Sequence, residues 1–463
     1  KIFISILWWK LKGDNMKEQI KEKVNSLQDE MISSIQESVK IPSVISEATE
    51  NCPFGENVDK ALRGILDLCK SLGFKTVYKD GYYGYAEIGQ GEKMIGILGH
   101  VDVVPEGDLE SWNYPPFEAV LEDGKLYGRG TQDDKGPTIS AIYAVKALMD
   151  LNVDFNKRIR FIFGADEENL WRCINKYKEN NEEIPNYGFT PDSRFPITNA
   201  EKGLLQVHLT CDSKSDIELS VGKALNAVPG KAIYIGKYSD KLKKELDKLN
   251  FEYTVEGNKI CIIGKSVHSA ASDTGINAVA RLCIALNNIG IDSNIIKFLA
   301  EVIGEDANGN NIIPNCKDDV SGKLTVNIGR VTIDNEKEFA GIDVRIPVTY
   351  KKDDFVKELK KMTDKYNLNY EEYDFLDSIY VPEDTLLVKT LRKVYEEETG
   401  LDGTPLSSGG ATYARALDNC VAFGAIFPGK PETEHQANEY LIVEDIIKAT
   451  QIYALSIYEL LKI

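Results

Sequence analysis

Two apolar runs that are typical of buried strands each lead directly into residue types that can bind metals. The run Met94–Leu98 continues into Gly-His-Val-Asp at 99–102, and the run Arg158–Phe163 continues into an Asp-Glu-Glu triplet at 166–168. A long helix is expected between them, over 136–149, after a Gly-Pro start. Strand, loop, helix and strand in alternation predict an α/β layer with a mixed, largely parallel sheet flanked by helices. Ligands bind beyond the carboxyl ends of such strands, so we expect a metal site at this edge.

The composition is that of a globular protein without an affinity for polyanions. The 463 residues exceed one ordinary domain, and the net charge of −18 argues against nucleic acid as a partner. The apolar run Ile2–Trp9 is too short to span a bilayer, so we expect no membrane partner. We interpret residues 1–15 as an upstream extension of doubtful status, with Met16 as the natural start. Eight cysteines without a Cys-x-x-Cys pair predict free thiols and a cytoplasmic protein.

The sequence pattern changes near residue 200, which predicts a second domain inserted into the first. Strand-like and helical runs continue beyond this point, but metal-binding residue types in motif-like settings are nearly absent until residue 430. We therefore predict a catalytic domain over 16–199 and 383–463. An inserted α+β domain is expected over 200–382, and its length explains why one metal ligand lies so far along the chain from the others.

Histidine is scarce in this chain, and two of its four histidines lie beside carboxylates. His100 precedes Asp102 by two residues, and His435 lies in the segment Pro-Glu-Thr-Glu-His-Gln-Ala-Asn-Glu. The paired acids Asp133 and Asp134 stand at a helix start, and a further Asp192 lies in Thr-Pro-Asp-Ser-Arg. Two histidines and three carboxylates, one of them bridging, meet the needs of a two-zinc hydrolytic site.

Each of these motifs also has an ordinary structural interpretation. A His–Asp pair can simply close a strand end, an aspartate is a favoured helix N-cap, and an acidic turn can be solvated. Three adjacent carboxylates repel one another unless a cation is present, and here they follow a buried strand. In a metal site, adjacent glutamates can divide the work, one as ligand and the other as general base. Residues two apart on an extended segment share a face, so Asp102 could fix the tautomer of His100.

In this order and context the motifs resemble the di-zinc exopeptidase family, which includes aminoacylases, succinyl-diaminopimelate desuccinylase, carnosinases and the PepV-type dipeptidases. The resemblance is greatest to the PepV-type dipeptidases and runs from about residue 17 to the C-terminus. It implies a zinc-exopeptidase-like fold and two Zn²⁺ per chain, although the same ligands suit Mn²⁺ or Co²⁺.

The resemblance also implies a role for each residue of the metal site. One metal would be held by His100, Asp133 and Asp192. The other would be held by Asp133, Glu168 and His435, with Asp133 bridging. Asp102 would orient His100, and Glu167 would be the general base. The peptide bond between Asp133 and Asp134 would be cis.

The inserted domain matches the family's lid, which supplies groups that face the substrate. His268 matches a histidine that steadies the transition-state oxygen, and Asn226 matches an asparagine near the same oxygen. Arg345 matches an arginine that grips the substrate carboxylate. Gly409 and Gly410 match a glycine-rich loop whose backbone lies close to the substrate. Without the resemblance, an asparagine before Ala-Val-Pro could be a turn residue, and the arginine could be a surface strand residue.

The function implied by the resemblance is hydrolysis of dipeptides through a water held between two metals, with Glu167 as the general base. Broad Xaa-Xaa specificity is expected, with β-alanyl-histidine as a further candidate. An N-acyl-amino-acid deacylase on the same scaffold remains an alternative, as does a non-catalytic peptide-binding protein. The large insert resembles the lid of monomeric dipeptidases, which implies a monomer with a small peptide substrate. Two positions depart from the usual pattern, Asn169 and Arg194, and both could change substrate preference. His208 matches no site motif and is interpreted as structural.

Overall fold

The computed structural model describes residues 15–463, which form two compact units. The first unit comprises 15–199, Val381–Leu406 and Thr412–Ile463. The second comprises Ala200–Tyr380 and the short segment Ser407–Ala411. Except for its last residue, the expected N-terminal extension lies outside the described residues.

The first unit is an α/β layer, as the sequence predicts. Its helices are 15–26, Gln28–Val39, Glu56–Ser71, Lys135–Asp150, Arg172–Glu179, Leu386–Thr399 and Val443–Leu461, with short 3-10 turns at Leu109–Ser111 and Tyr413–Ala416. The strands of its mixed sheet, in spatial order, are Lys75–Lys79, Tyr83–Ile88, Arg158–Gly164, Met94–His100, Tyr187–Thr190 and Cys420–Ala422. Three further short strands lie at the points where the chain passes between the two units: Thr198–Glu201, Ile379–Tyr380 and Leu406–Ser408. Smaller sheets are formed by Val120–Glu122, Lys125–Tyr127 and Tyr440–Ile442, and by Ser193–Arg194 with Ala425–Ile426.

The mixed sheet is parallel at its centre and antiparallel toward its edges. Arg158–Gly164, Met94–His100, Tyr187–Thr190 and Cys420–Ala422 are mutually parallel neighbours. Every residue of Met94–His100 is buried, which explains why this strand is a continuous apolar run rather than an alternating one. The helix Lys135–Asp150 is buried on most of its surface and packs against this strand.

The second unit is an α+β domain with its own hydrophobic core. Five antiparallel strands form its main sheet in the spatial order Leu219–Gly222, Thr325–Ile333, Lys337–Ile346, Gly203–Asp212 and Asn369–Leu376. Smaller sheets are formed by Lys231–Tyr234, Lys259–Ile263 and Tyr253–Glu256, and by Lys317–Asp318 with Gly322–Lys323. The helices are Ser239–Leu249, Ala278–Asn288, Asn294–Phe298 and Lys352–Lys365, with a 3-10 turn at Ser269–Thr274 and a π turn at Leu299–Ile303.

Three further observations bear on the sequence predictions. All eight cysteines are free thiols, as predicted. The ring of His208 stacks on Tyr373 at 4.3 Å and meets Phe339 edge-on at 4.9 Å, which fits a structural role. No helix in the described part of the chain has the length and apolar character needed to cross a membrane.

Candidate metal centre

Three neighbouring parallel strands bring His100, the acidic triplet 166–168 and Asp192 to one edge of the sheet. His100 is the last residue of its strand and lies opposite Gly164 in the register of the next strand. The acidic triplet 166–168 follows Gly164, and Asp192 follows the third strand, Tyr187–Thr190. The carboxyl ends of parallel strands meet at the same edge, so these side chains converge although they lie far apart in sequence.

Glycines at the strand ends allow close packing beneath this edge. A Cβ atom on Gly99 would lie 1.9 Å from the hydroxyl oxygen of Thr138, on the helix behind the strand. A Cβ atom on Gly164 would lie 2.0 Å from the hydroxyl oxygen of Tyr413. Both positions therefore require glycine so that the site's supporting elements can approach the sheet.

Asp133 lies between the two histidines, with one carboxylate oxygen toward each. Its Oδ1 is 3.0 Å from Nε2 of His100, and its Oδ2 is 2.9 Å from Nε2 of His435. Asp192 approaches the same nitrogen of His100 at 3.7 Å, and Glu168 approaches that of His435 at 3.1 Å. The structure thus brings together all five predicted metal ligands, in two groups that share Asp133.

The tautomer of His100 leaves its outer nitrogen available for a metal. Nδ1 lies 2.9 Å from the main-chain oxygen of Asp102. A carbonyl oxygen only accepts hydrogen bonds, so Nδ1 carries the proton and donates it. Nε2, the nitrogen that faces Asp133 and Asp192, is then unprotonated in the neutral ring, as a metal ligand must be.

The donor set carries more negative charge than the protein itself compensates. Burial, together with the charge of Asp133, raises the pKa of Glu168 to about 7. Burial and the charge of Asp133 also raise the pKa of Asp192. Desolvation alone would lower the pKa of His435, but the carboxylates of Asp133 and Glu168 outweigh it and raise that pKa to about 11. Buried carboxylates that raise one another's pKa in this way are typical of a site that takes up cations.

Glu167 lies next to the metal ligands. Its carboxylate, with His100 and Asp192, forms one of two donor groups whose ligand atoms all lie within 4.8 Å of one another. The other group is His100, Asp133 and Glu168. Burial, and then the charges of the neighbouring acids, raise the pKa of Glu167 well above its usual value.

Asp102 differs from its predicted role in how it makes contact. Its carboxylate oxygen is 3.6 Å from Nδ1 of His100, farther than its own main-chain oxygen, which accepts the hydrogen bond. The carboxylate instead accepts the main-chain N–H groups of Glu167 at 3.2 Å and Glu168 at 3.1 Å. Asp102 therefore orients His100 through its main chain, while its side chain fixes the turn that carries the two glutamates.

The peptide bond between Asp133 and Asp134 is cis, as the resemblance implies. Asp134 stands at the N-cap position of the helix Lys135–Asp150 but makes no side-chain cap. Its Oδ2 accepts the hydroxyl of Thr138 at 2.6 Å and the main-chain N–H of His100 at 3.3 Å. The second aspartate thus braces the end of the His100 strand.

Glu439 is a site residue to which the sequence gives no role. It is fully buried and pairs with Arg129 at 2.7 Å. Its carboxylate also accepts main-chain N–H groups of Gly130, Gln132 and Asp133 at 2.8–3.2 Å. It therefore holds the loop that presents Asp133. The sequence signals Glu439 only by its place at the end of the His435 segment. Its role as an acceptor could not be predicted, because that role depends on which N–H groups lie near it in the folded chain.

The predicted substrate-facing residues cluster within the second unit. Ala227, next to Asn226, pairs with His268 in an antiparallel bridge, and the N–H of Ser269 donates to the main-chain oxygen of Asn226 at 2.9 Å. Nδ1 of His268 accepts the N–H of Ala270 at 3.2 Å. The proton of the neutral His268 ring must therefore be on Nε2, which makes Nε2 a donor.

Arg345 is buried, in contrast to the surface interpretation, and anchors this cluster. It forms a two-pronged ion pair with Asp343 at 2.7 and 3.0 Å. It also donates to the main-chain oxygen of Gly409 at 2.7 Å and to the hydroxyl of Ser269 at 3.1 Å. A Cβ atom on Gly409 would lie 2.4 Å from that of Ala270, so the glycine permits this close contact. Gly410 follows in the same segment and donates its N–H to the hydroxyl of Ser408 at 2.9 Å.

Sequence comparison identifies the family. Residues 96–459 match the model of peptidase family M20/M25/M40. A Bacillus subtilis protein named "Putative dipeptidase YtjP" is 36% identical over 462 residues, which cover 94% of this chain and 98% of that protein. A Staphylococcus epidermidis protein named "Putative dipeptidase" is 36% identical over 470 residues, covering 95% of this chain and 99% of the relative.

Solved structures share the fold at low sequence identity. Dug1p of Saccharomyces cerevisiae, described as a di-peptidase, has a TM-score of 0.62 at 15% identity and covers 96% of this chain and 99% of its own. Human carnosine dipeptidase 1 has a TM-score of 0.60 at 17% identity, with coverage of 97% and 99%. The YXEP protein of Bacillus subtilis, described as a dinuclear metal-binding peptidase, has a TM-score of 0.54 at 12% identity, with coverage of 95% and 99%. The chain therefore belongs to peptidase family M20/M25/M40 and is a metallopeptidase.

Proposed function

We propose that this protein is a dipeptidase of broad Xaa-Xaa specificity, with β-alanyl-histidine as a further candidate substrate. The observation that carries the proposal is the position of Asp133, whose two oxygens each face a different histidine at about 3 Å. Such a carboxylate can bridge two cations, as two-metal hydrolases require. The names of the relatives at 35–36% identity support the choice of dipeptides.

The metal ligands that we propose follow this geometry. His100, Asp133 and Asp192 would hold one ion, and Asp133, Glu168 and His435 would hold the other. The chemistry supplied by two such ions is Lewis acidity, which polarises the scissile carbonyl and lowers the pKa of a water. Imidazole and carboxylate ligands suit Zn²⁺, our first choice, and also Mn²⁺ and Co²⁺.

Glu167 is proposed to move the proton. It would accept a proton from the attacking water and deliver it to the leaving amine, since its carboxylate lies beside His100 and Asp192. Its main-chain N–H donates to the carboxylate of Asp102, which would keep the turn that carries the base in place.

The second unit is proposed to act as a lid that supplies groups for binding and for charge stabilisation. Nε2 of His268 and the side-chain amide of Asn226 would donate to the oxygen that becomes negative in the transition state. Arg345 and the backbone at Gly409 and Gly410 would bind the substrate carboxylate. The four hydrogen bonds that hold Arg345 give its guanidinium one orientation and leave one of its five N–H groups, on Nη1, for the substrate carboxylate.

Amino-acid release from a small substrate panel tests the proposed function. The metal-loaded protein would be given several dipeptides, β-alanyl-histidine, a tripeptide and an N-acetyl amino acid. Cleavage of dipeptides without the tripeptide or the N-acetyl compound is the expected result. Cleavage of the N-acetyl compound alone would replace the proposal with a deacylase, and no turnover with Zn²⁺ or Mn²⁺ would favour a peptide-binding protein.

Replacing Glu439 by Gln is expected to weaken metal binding about 10- to 100-fold, because supporting residues of metal ligands typically contribute this much. The change weakens the acceptor that holds the N–H groups of Gln132 and Asp133, and it leaves the buried Arg129 without its counter-charge. Metal affinity would be measured by competition with a chelator. Glu338 is a matched control, since it is a buried carboxylate in the second unit that accepts from Ser293 and Ile295. Glu338→Gln should lower the melting temperature without changing metal affinity, and equal affinity losses in both variants would contradict the role of Glu439.

We further propose that the enzyme works as a cytoplasmic monomer. The eight free thiols support a reducing compartment, and the insert supplies His268 within the same chain. Light scattering should give a mass of 51.7 kDa that does not change with protein concentration. A concentration-dependent rise to twice that mass would contradict the monomer.

A further inference from the structure

Asn327 is a buried side chain that holds the loop on both sides of Asn226. It lies in the strand Thr325–Ile333 and is 1% exposed. Its amide nitrogen donates to the main-chain oxygen of Leu225 at 2.7 Å and to that of Ala227 at 2.9 Å. One NH₂ group therefore fixes the two carbonyls that flank the asparagine.

The amide of Asn327 is itself held in a single orientation. Asn277 donates from its side-chain nitrogen to Oδ1 of Asn327 and to the main-chain oxygen of Ile328, both at 2.9 Å. Oδ1 of Asn277 caps the next helix by accepting N–H groups of Val279 and Ala280 at 3.0 Å. Because Oδ1 of Asn327 is the acceptor in this chain of amides, its nitrogen must face the loop.

The same loop is joined to the segment that carries His268. Ala227 forms an antiparallel bridge with His268, and Val228 donates to the main-chain oxygen of Val267 at 2.8 Å. Ser269 donates back to the oxygen of Asn226 at 2.9 Å. The proposed oxyanion donors Asn226 and His268 thus lie in two hydrogen-bonded segments, and Asn327 connects these segments to the main sheet of the unit.

We propose that Asn327 is a positioning residue that sets where Asn226 stands for catalysis, an inference that rests on the proposed function. The site needs two N–H donors on one atom, which an amide provides and a hydroxyl or carboxylate does not. Displacement of a catalytic group by about 1 Å can cost about 100-fold in rate, so loss of these bonds should be visible in turnover.

The test compares Asn327→Ala with a control at an exposed asparagine, Asn311→Ala, in the metal-loaded full chain. Asn311 also donates from its side chain to one main-chain oxygen of the same unit, that of Val302, but not to the Asn226 loop. We expect Asn327→Ala to lower kcat for a dipeptide about 10- to 100-fold while KM changes less than about threefold and metal content stays the same. Asn311→Ala should keep the wild-type kcat.

Two further variants keep the proposal falsifiable. Asn277→Asp retains the helix cap but removes the donor to Asn327, so it should lower kcat in the same way, and it decides the question if Asn327→Ala does not fold. Combining Asn327→Ala with Asn226→Ala should cost less than the product of the two single losses, because both act on one group.

The outcomes separate the inference from the proposed function. Wild-type turnover of dipeptides with an unchanged kcat in folded Asn327→Ala, or fully multiplicative losses in the double variant, would overturn the inference alone. A fall in kcat with a stable KM and metal content would support it. No turnover by the wild-type protein would overturn the proposed function, and the inference would fall with it.

Discussion

Replacing Glu167 by Gln is expected to lower kcat for dipeptide hydrolysis by about 10²- to 10⁴-fold while both metals stay bound. The amide preserves the size of the side chain but cannot accept and return a proton. The adjacent Glu168 provides the contrast, because its carboxylate lies 3.1 Å from Nε2 of His435 and is a proposed ligand. Glu168→Gln should therefore lose metal as well as activity.

Metal content and kcat measured on the same preparations decide between these roles. Wild-type turnover in Glu167→Gln would refute the assignment of the base. Loss of one metal from Glu167→Gln would show that Glu167 is a ligand. This is the main competing result, because Glu167 lies close to His100 and Asp192.

Replacing Asp133 by Ala is expected to remove both metals and to abolish detectable hydrolysis. This carboxylate is the one group that both proposed sites share, with Oδ1 and Oδ2 each near a different histidine. Loss of any other single ligand should weaken mainly one site. Mass spectrometry of the metals and the melting temperature with and without added Zn²⁺ would be compared, since a bound metal stabilises the folded state.

Asp154 gives the control for this experiment, because it is an exposed aspartate of the same unit. Asp154→Ala should keep two metals and the Zn²⁺-dependent rise in melting temperature. Retention of two metals by Asp133→Ala would show that the bridging assignment is wrong.

The strands that precede His100 and the acidic triplet were predictable because buried parallel strands form continuous apolar runs. The strand Tyr187–Thr190 was not, since four residues that include a glycine show no periodicity. Asp192 was therefore recognised only as an acidic residue in a short motif and through the resemblance, and the structure adds its distance of 3.7 Å from His100. The contact of Asp102 through its main chain could not be predicted either, because both of its oxygen types are in reach of the ring.

In the second unit, two long strands of the main sheet were not predicted, because buried polar residues interrupt their apolar pattern. Thr325–Ile333 and Lys337–Ile346 contain Asn327, Asp343 and Arg345, all nearly fully buried. Buried polar groups are stable only with partners, and those partners come from distant segments of the chain. The same polar residues that interrupt the apolar pattern are the ones that hold the proposed substrate-facing groups.

Titration of metal-free protein with Zn²⁺ or Mn²⁺, with dipeptide hydrolysis followed at each step, tests the central claim most directly. The account predicts no amino-acid release from the metal-free protein and maximal release at two equivalents of metal per chain. Full activity without metal, or saturation at one equivalent, would contradict a dipeptidase whose two metals share Asp133.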